Sequence, residues 1–481
     1  MDPHVSRSVA RCRPGSAGFV CMVGVISLML LPSAKGQMFQ VFELAPLGKD
    51  TETVATGINN LGVVVGVSVD AAGKNSPVSW ICTAQKAGSP KVLPLFSPVG
   101  GKPWDINDLG WVVGEAVHSS SRTVATLWPN SKTISGLHDG EKFCAAYSIN
   151  EFGETAGYYV QQDGVPGAFV IRDGRFSLLD DSQSTRGGCI NDLGTVLANY
   201  VSENESRPFL LQNGIATDLP LPPGSTQAEG WKLNNAGQVV GSAQLENQQE
   251  EAVLWQNGSA HLLDHLGGGY SSATDLNHFG VIVGVSHVPP PSSVNLPVGV
   301  ESIAKSGKTS MTFVNEPQRA FIRQGLGAPM KNLNTLIPPT SKWVLLSASA
   351  INDKGWIVGH GLVDKAPNNS GGSLFLPRGF LLVPVAGSFV PALDVSYRLP
   401  PGAGSLKMGD TVDVLLHANH PVVKLQFSLN GIPQSVPKSE PFRFRIAPTQ
   451  AGVMKLVFRS LDKSNRTLAE KSVDLTVLAA P

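Results

Sequence analysis

Cysteine, net charge and long apolar runs are all scarce in this chain of 481 residues. Five cysteines are present, and two of them fall within the first 36 residues. The other three, Cys82, Cys144 and Cys189, are too few and too scattered for a disulfide framework, so we expect small buried apolar side chains there. A disulfide between Cys144 and Cys189, which lie in neighbouring sequence repeats, is the alternative. The sequence contains no Cys-x-x-Cys motif to support a structural zinc site.

Charge is low and balanced. Charged residues make up 15% of the sequence, and the 37 basic residues cancel the 37 acidic ones. A neutral chain without a basic run is unsuited to nucleic acid and to an anionic membrane surface, so neither is expected as a partner. Glycine (51 residues) and proline (35 residues) are abundant instead, which favours many short strands and turns over helices.

The N-terminus has the pattern of an export signal. Three arginines precede an apolar stretch at residues 18–31, and the small residues Ala34 and Gly36 stand where a signal peptidase would cut. We therefore expect a signal peptide at 1–36 and a protein that is secreted, periplasmic or at the cell surface. An uncleaved membrane anchor is the alternative, although the apolar run is short for one. No later segment is long and apolar enough to span a membrane.

Seven copies of one motif, an apolar residue followed by Asn-x-x-Gly, run through the chain. The asparagines are Asn59, Asn107, Asn150, Asn191, Asn234, Asn277 and Asn352. The glycines three residues later are Gly62, Gly110, Gly153, Gly194, Gly237, Gly280 and Gly355. A second glycine follows four residues after the first in six copies, and the fourth copy has Ala198 there. A motif recurring at a nearly constant spacing predicts a repeat architecture.

Each copy predicts a hairpin turn between two short strands. In the second copy, Asn107 can bond its side chain to backbone two residues on, and Gly110 can take a positive φ at low cost. The second glycine predicts a close backbone approach or a bend. Two more short strands follow in each unit. The units are therefore four antiparallel strands each, spaced 41 to 48 residues apart with one longer step of 75 residues.

Four-stranded units at this spacing indicate an all-β fold, a seven-bladed β-propeller over residues 37–385. The seventh unit ends near Pro384 without a fourth strand, whereas the segment 39–44 stands unpaired before the first unit. We therefore expect this N-terminal strand to complete the last blade and close the ring, which removes two sheet edges. An open β-solenoid, which needs no such strand, is the alternative.

The repeats resemble the bacterial extracellular HAF-type repeat family. The matching elements are the Ile-Asn-x-x-Gly-x-Val-Val-Gly core, as at 106–114, and a strand similar to Ala-Phe-Leu-Trp, as at 125–128. The resemblance covers roughly residues 39–384. It implies secretion and a repeat fold but no defined reaction, so no catalytic residues carry over. Ala198 departs from the family pattern and predicts a less regular fourth blade.

Residues 386–481 follow a different pattern. Longer strands with a period of two, such as 411–416, 442–446 and 453–458, indicate an Ig-like β-sandwich. This module resembles the Ig-like domains of bacterial surface proteins, which implies spacing or adhesion. It lacks the cysteine pair of antibody domains.

Candidate ligand contacts lie on the face opposite the Asn-x-x-Gly turns, which we call the open face. Its longest loops belong to units six and seven, at 284–319 and 359–378, and function concentrates in unusual loops on a rigid frame. A disordered insertion is the alternative for the first loop. Exposed rings suit sugars or extended peptides, whereas packing between blades is their alternative role. The candidates are Trp104, Tyr147, Trp231, Tyr270, His287 and Trp343.

Polar residues precede the apolar position of the motif in three units. Asp105, Lys232 and Asp275 are placed to line a central channel, which is filled with water in the simplest case. Asp275, His278 and His287 are close in sequence. His278 lies in a turn on the face opposite His287, so we do not expect these two rings to meet.

Catalytic motifs are missing from the sequence. No nucleophile elbow, zinc-protease, Walker or dinucleotide motif is present in the sequence. We therefore expect that the protein is not an enzyme and that it has no cofactor and no catalytic or metal-binding residues. The interpretation is an exported binding or scaffold protein whose partner is a carbohydrate or a cell-surface protein. Two alternatives stay open, a polysaccharide lyase or glycosidase on a propeller frame and a purely structural spacer. The sequence does not indicate an oligomeric state.

Overall fold

Short antiparallel strands form almost all of the regular structure in the computed structural model. The structure describes residues 38–479, apart from 120–121, 131–132, 139–142, 161–163, 180–182, 203–204, 290–316, 367–373, 386, 401–402 and 404. The expected signal peptide at 1–36 lies outside the described residues, as do most of the sixth-unit loop and part of the seventh-unit loop. Over the ranges described, no helix has the length and apolarity needed to cross a membrane.

Four of the repeats form separate four-stranded antiparallel sheets, so the all-β prediction with four-stranded units is confirmed for them. The first repeat contains β2 (Glu52–Ile58), β3 (Val63–Val69), β4 (Asn75–Ile81) and β5 (Pro90–Val92). The fourth contains β14 (Thr185–Ile190), β15 (Val196–Val201), β16 (Ser206–Gln212) and β17 (Ile215–Asp218). The fifth contains β18 (Ser225–Leu233), β19 (Val239–Leu245), β20 (Glu250–Gln256) and β21 (Ser259–Leu262). The sixth contains β22 (Ser271–Leu276), β23 (Val281–His287), β24 (Gln318–Gln324) and β25 (Lys331–Asn332), followed by a 3-10 turn at Leu333–Thr335.

Repeats two and three are joined into one eight-stranded sheet, which the sequence did not predict. The second repeat contains β6 (Gly101–Ile106), β7 (Val112–Ser119), β8 (Arg122–Asn130) and β9 (Thr133–His138). The third contains β10 (Phe143–Ile149), β11 (Thr155–Val160), β12 (Pro166–Arg172) and β13 (Arg175–Leu178). The connection is a parallel pairing of β10 with β8, in which Phe143 lies opposite Thr123.

The seventh repeat supplies three strands and borrows a fourth from the N-terminal segment. Its own strands are β26 (Trp343–Ile351), β27 (Ile357–Asp364) and β28 (Phe375–Pro384). The N-terminal strand β1 (Phe39–Leu44) pairs antiparallel with β28, from Phe39 opposite Pro384 to Leu44 opposite Gly379. The side chains of Phe39 and Leu44 are fully buried. The free edge of β28 is therefore covered by the segment that the sequence singled out.

A bulge in the first strand of the repeat explains the second glycine of the motif. The register of β6 against β7 shifts at Trp104, which is the extra residue of the bulge. A Cβ on Gly114 would lie 2.2 Å from the carbonyl oxygen of Lys102, closer than real Cβ contacts allow. The predicted close backbone approach is confirmed. The same crowding recurs at Gly66, Gly157, Gly241, Gly284 and Gly359.

The fourth repeat tolerates Ala198 because its bulge is different. The register of β14 against β15 shifts between Arg186 and Cys189, so two residues, Gly187 and Gly188, form the bulge instead of one. Both glycines have a positive φ. Moving the backbone of the first strand in this way leaves room for the methyl group of Ala198, which is fully buried.

The repeated asparagine bonds to its own turn and also to the next repeat. Asn107 Oδ1 accepts the N–H of Trp111 at 2.9 Å, and Asn107 Nδ2 donates to the carbonyl oxygen of Asn150 at 3.0 Å. The same amide-to-carbonyl bond links every consecutive pair of repeats at 3.0–3.2 Å. Asn352 of the seventh repeat then donates to Asn59 of the first at 3.0 Å. The buried asparagine ring formed in this way consists of Asn59, Asn107, Asn150, Asn191, Asn234, Asn277 and Asn352.

The turn chemistry of the motif is confirmed at both of its ends. Gly110 has a φ of +79°, and the first glycine of every other copy is also in the left-handed region. The edge of the repeats on which these turns and the asparagine ring lie is called the turn face below.

The third strand of each repeat supplies the largest core side chains. Trp80, Trp128 and Trp255 are buried, and each indole N–H donates to a backbone carbonyl oxygen, at 2.9, 2.7 and 2.8 Å respectively. The other four repeats bury a phenylalanine two residues earlier on the same strand, at Phe169, Phe209, Phe321 and Phe380. Tryptophan is accepted in the core here because its one polar atom has a partner.

The predicted burial of the three cysteines is confirmed. Cys82, Cys144 and Cys189 are buried and none of them is in a disulfide, so the alternative bond between Cys144 and Cys189 is not formed. Cys189 contacts Ser148 Oγ at 3.7 Å. Burial raises the pKa of the Cys189 thiol, which keeps this side chain neutral.

The C-terminal residues form two sheets that share one apolar core. The first sheet contains β29 (Leu393–Arg398), β31 (Val412–Ala418) and β34 (Phe442–Ile446). The second contains β30 (Leu406–Lys407), β32 (Lys424–Leu429), β33 (Ile432–Gln434), β35 (Gly452–Leu461) and β36 (Thr467–Leu478). The core between them includes Val414 and Leu416 from the first sheet and Phe427 and Phe458 from the second. Because strand residues alternate between faces, Leu415 and His417 point away from this core.

We predict that Asn107→Ala lowers the free energy of unfolding by about 1–3 kcal/mol, since it leaves the Trp111 N–H without a partner and leaves the Asn150 carbonyl with the Gly153 N–H alone. Asn75→Ala is the matched control, because Asn75 is exposed at the start of β4 and should change stability by less than about 0.5 kcal/mol. Urea denaturation of both variants measures the difference. If the two variants had the same free energy of unfolding, the hydrogen bonds of the asparagine ring would not contribute to stability.

Candidate functional site

The residue that follows each ring asparagine faces the axis of the repeats. In six of the seven repeats its backbone N–H donates to the side chain at the same position of the next repeat. Asn60 N–H bonds Asp108 Oδ1 at 2.7 Å, and Asp353 N–H bonds Asn60 Oδ1 at 2.8 Å. These residues, called the axial ring below, are Asn60, Asp108, Glu151, Asp192, Asn235, His278 and Asp353.

A side chain from the C-terminal module completes a cluster at this ring. His417 of β31 stacks on His278 with ring centroids 3.6 Å apart and planes inclined by 18°. Asp353 contacts Nδ1 of both rings, at 3.0 Å for His278 and 3.3 Å for His417. Asp192 Oδ2 lies on the opposite side, 3.7 Å from His278 Nε2 and 3.9 Å from His417 Nε2. We call Asp192, His278, Asp353 and His417 the seam cluster.

Charge is distributed unevenly around the axial ring. Burial disfavours the charged form of His278, but the Asp353 and Asp192 carboxylates outweigh it and raise the pKa of His278 well above its usual range. Burial likewise opposes ionisation of the two carboxyl groups, yet the facing imidazoles hold the pKa of Asp353 well below its usual range and that of Asp192 at about 2. Burial raises the pKa of Asp108 to about 6 and that of Glu151 well above its usual range. The ring therefore holds more acidic groups than its cations offset.

Ion pairs outside the seam cluster also hold the C-terminal sheet against the turn face. Arg398 forms a bidentate pair with Glu154, with N–O distances of 2.9 and 2.8 Å. Lys354 Nζ donates to the Glu440 carboxylate at 2.7 Å. The Arg443 guanidinium lies 4.1 Å from the centroid of the Phe152 ring. The turn face is thus covered by the C-terminal sheet at these contacts.

An axial cavity of about 160 Å³ lies beneath the axial ring and is lined by the first strand of every repeat. The three residues expected to line a central channel all line it. Lys232 Nζ lies 3.3 Å from Asp105 Oδ2. Asp275 accepts the N–H groups of Leu276 and Ile351 at 2.9 and 2.8 Å. Burial raises the pKa of Asp275 to about 6, against the opposing effect of Lys232.

Two of the predicted site residues meet near the open face. The rings of Trp104 and Tyr147 are 5.2 Å apart in an edge contact, and Tyr158 stacks on Tyr147 at 5.8 Å. Lys102 Nζ lies 3.6 Å from the centroid of the Trp104 ring. Burial raises the pKa of the neighbouring Glu115 to about 7, although Lys102 opposes the shift. This patch is partly buried between repeats and combines aromatic and charged groups.

The remaining predicted residues lie apart from this patch and from one another. Trp231 is a bulge residue of β18 and is 41% exposed. Tyr270 and His287 contact each other, with centroids 4.7 Å apart, and burial raises the pKa of Tyr270 to about 12. Trp343 packs on the core residue Phe380 at 6.2 Å. His287 ends β23 while His278 precedes it, so the two imidazoles lie at opposite ends of the strand, as expected.

A groove of about 870 Å³ lies at the open face where repeats three and four meet. Its lining includes the exposed side chains of Arg186 and Arg207 together with Tyr200, and also Glu205 and Asp218. Arginine offers planar hydrogen-bond donors, and tyrosine offers an aromatic face with a polar end. The groove thus combines donors, acceptors and an aromatic ring along one surface.

Sequence reasoning missed both the seam cluster and this groove. The cluster is assembled from residues at positions 192, 278, 353 and 417, so no local motif marks it. One signal was available: the position after the ring asparagine is polar in all seven copies, whereas the next position is apolar in six of them. The groove depends on strand ends from two repeats, which only the folded chain brings together.

No family model matches the chain, and no curated protein matches it. Solved structures similar to it include one described as TolB from Agrobacterium tumefaciens, at 9% identity and a TM-score of 0.37, covering 48% of this chain and 90% of that one. The extracellular domain of a hybrid two-component system from B. thetaiotaomicron matches at 9% identity and 0.38, over 92% and 58% of the two chains. Puromycin hydrolase matches at 12% identity and 0.39, over 70% and 53%.

The prediction that the chain is not an enzyme, which was drawn from the missing catalytic motifs, is wrong. The similar structures include puromycin hydrolase and an acylaminoacyl peptidase from Pyrococcus horikoshii, each at 12% identity. Identities at this level assign no activity to the chain.

We predict that Lys232→Met destabilises the protein by about 3 kcal/mol at pH 8, because it leaves Asp105 and Asp275 facing each other without a cation. The loss should shrink at pH 5. A carboxyl whose pKa is raised to about 6 in the folded state stabilises that state at low pH, and the contribution disappears as the pH rises through 6.

Urea denaturation at both pH values measures this dependence, with Lys331→Met as the control because Lys331 is exposed on β25. A loss that is equal at pH 5 and pH 8 would contradict the proposed charge balance in the cavity.

Proposed function

We propose that residues 37–385 form a seven-bladed β-propeller of the HAF-repeat type, closed by β1, and that residues 386–481 form an Ig-like sandwich. Two observations support the closed ring: the Asn352 amide returns to the first repeat, and β1 occupies the fourth position of the last sheet. Two sheets around one apolar core support the sandwich. The motif of the repeats supports the family.

Substitutions in β1 test the closure. We predict that Leu44→Asp lowers the free energy of unfolding by more than about 4 kcal/mol, since it places an unpaired charge in a fully buried site between β1 and the first repeat. Gln40→Asp, at an exposed position of the same strand, is the control and should leave stability almost unchanged. Comparable denaturation curves for the two variants would show that β1 is dispensable.

We propose that the protein is exported and binds carbohydrate at its open face. The observation that supports this most is the covering of the turn face by the C-terminal sheet, which leaves the opposite face for a ligand. That face has the groove lined by Arg186, Tyr200 and Arg207, whose donors and aromatic ring suit the hydroxyl groups and apolar faces of sugars. The export pattern at 1–36 supports a location where polysaccharides are accessible.

A glycan array that includes neutral and acidic polysaccharides tests the proposal. The probe is the exported chain, and the variant is the double substitution Arg186→Ala with Arg207→Ala. We expect at least a tenfold loss of binding in this variant. Arg175→Ala is the control, because Arg175 is exposed in the β12–β13 turn, at the opposite end of the strands.

A second variant lacks residues 290–316, so that it tests the long sixth-unit loop as the contact. Loss of binding in the deletion alone would move the site to that loop. No binding of any glycan by the unmodified chain would overturn the proposal and favour a protein partner. The bound glycan is also examined for cleavage, because a lyase or glycosidase activity is compatible with the same groove.

A further inference from the structure

The two imidazole rings of the seam cluster are oriented by a shared carboxylate. Asp353 lies 3.0 Å from His278 Nδ1 and 3.3 Å from His417 Nδ1. Each ring therefore donates its Nδ1–H to Asp353, so Nε2 is the nitrogen that binds a metal once the ion has displaced any proton there. A carboxylate that accepts the far N–H of a histidine is the usual partner behind a metal-binding imidazole, since it fixes both the tautomer and the ring direction.

The two Nε2 atoms converge on one carboxylate oxygen at distances that suit an ion between them. Asp192 Oδ2 lies 3.7 Å from His278 Nε2 and 3.9 Å from His417 Nε2, too far for hydrogen bonds. Ligand atoms about 2.0–2.2 Å from a tetrahedral metal are separated by roughly 3.3–3.6 Å, so these atoms need to approach by only a few tenths of an ångström. One ligand atom from each of Asp192, His278 and His417 lies within 4.8 Å of the other two.

The carboxylate of Asp192 is itself held in place. Its Oδ2 accepts a hydrogen bond from Asn235 Nδ2 at 2.8 Å, and its Oδ1 accepts the backbone N–H of Glu151 at 2.8 Å. Asn235 Nδ2 also donates to Ser396 Oγ at 2.7 Å. All three ligand-bearing residues are thus positioned by second interactions, as ligands of a built metal site are.

The surroundings favour a cation. Asp108 and Glu151 lie on the same axial ring, and Glu440 of the C-terminal module lines the adjoining cavity with them. Lys354 offsets Glu440. A buried region with this many carboxyl groups gains from a divalent positive charge, which is screened little at that depth.

We propose that the seam cluster is a binding site for a divalent transition metal, zinc in the first instance, with Asp192, His278 and His417 as ligands. Two imidazoles and one carboxylate suit zinc, and a water molecule or Ser396 Oγ, which lies 3.4 Å from His417 Nε2, completes a set of four. The ligands come from the fourth repeat, the sixth repeat and β31. The ion therefore joins the C-terminal module to two separate repeats.

Metal binding also requires a movement of the rings. A metal lies in the plane of an imidazole ligand, whereas His278 and His417 are stacked with their planes inclined by only 18°. The rings must turn apart when the ion enters. Cobalt provides a direct readout, because Co²⁺ in a four-coordinate nitrogen and oxygen site absorbs visible light and free Co²⁺ in water absorbs weakly.

The test uses the exported chain purified without a polyhistidine tag and stripped with EDTA. Zn²⁺ is titrated by calorimetry, and Co²⁺ is followed by its visible spectrum. We expect one equivalent of Zn²⁺ to bind and to raise the melting temperature. Asp192→Asn and His417→Asn should each weaken binding at least 100-fold. Asp353→Asn, which keeps all three ligands but loses their orientation, should weaken it 10- to 100-fold.

His420→Asn is the matched control. His420 lies three residues beyond His417 and bonds Ser460 Oγ at 2.8 Å, outside the seam cluster, so this variant should bind Zn²⁺ as the unmodified chain does. The proposal is overturned if the stripped chain takes up no Zn²⁺, or if the Asp192 and His417 variants bind it unchanged while remaining folded. Circular dichroism of each variant establishes the folded state.

Discussion

The hydrogen bond from each motif asparagine to the turn of the next repeat is the interaction on which the rest of the structure depends. One amide group closes its own hairpin through its oxygen and contacts the neighbouring repeat through its nitrogen, as Asn107 does with Trp111 and Asn150. The asparagine side chain is buried, so if it is removed the groups that it bonded cannot turn to water as a substitute partner. Sheets that share few backbone bonds with each other are aligned in this way without disulfides.

Much of this frame was predictable from the sequence because it depends on local chemistry. A turn that needs asparagine at one position and a left-handed glycine three residues later is visible in a single copy, and seven copies give the repeat. The second glycine was also interpretable, since Gly114 has no space for a Cβ. The link through Asn107 Nδ2 was not, because it joins residues 43 positions apart and leaves no further mark in the turn.

The chemistry of the axis was not predictable, because it depends on which repeats become neighbours. His278 looks like a substitution in one turn until the fold places it against Asp353 and beneath His417. The eight-stranded sheet has the same origin, since the pairing of Phe143 with Thr123 is set by how two repeats approach. The aromatic candidates divide between the two roles that the sequence left open for them. Trp104 and Tyr147 do meet, whereas Trp343 contributes to the core.

In the axial ring the backbone N–H is common to all the repeats, whereas the side chain differs from one repeat to another. At this position the backbone N–H donates to the axial side chain of the next repeat, as Asn60 does to Asp108, so that side chain needs an acceptor atom but is otherwise free to vary. Carboxylate, amide and imidazole groups all occur there in one chain. A protein built this way can exchange one axial group for another without altering its architecture. The side chains at the seven axial positions can therefore change during evolution while the turns that carry them stay the same.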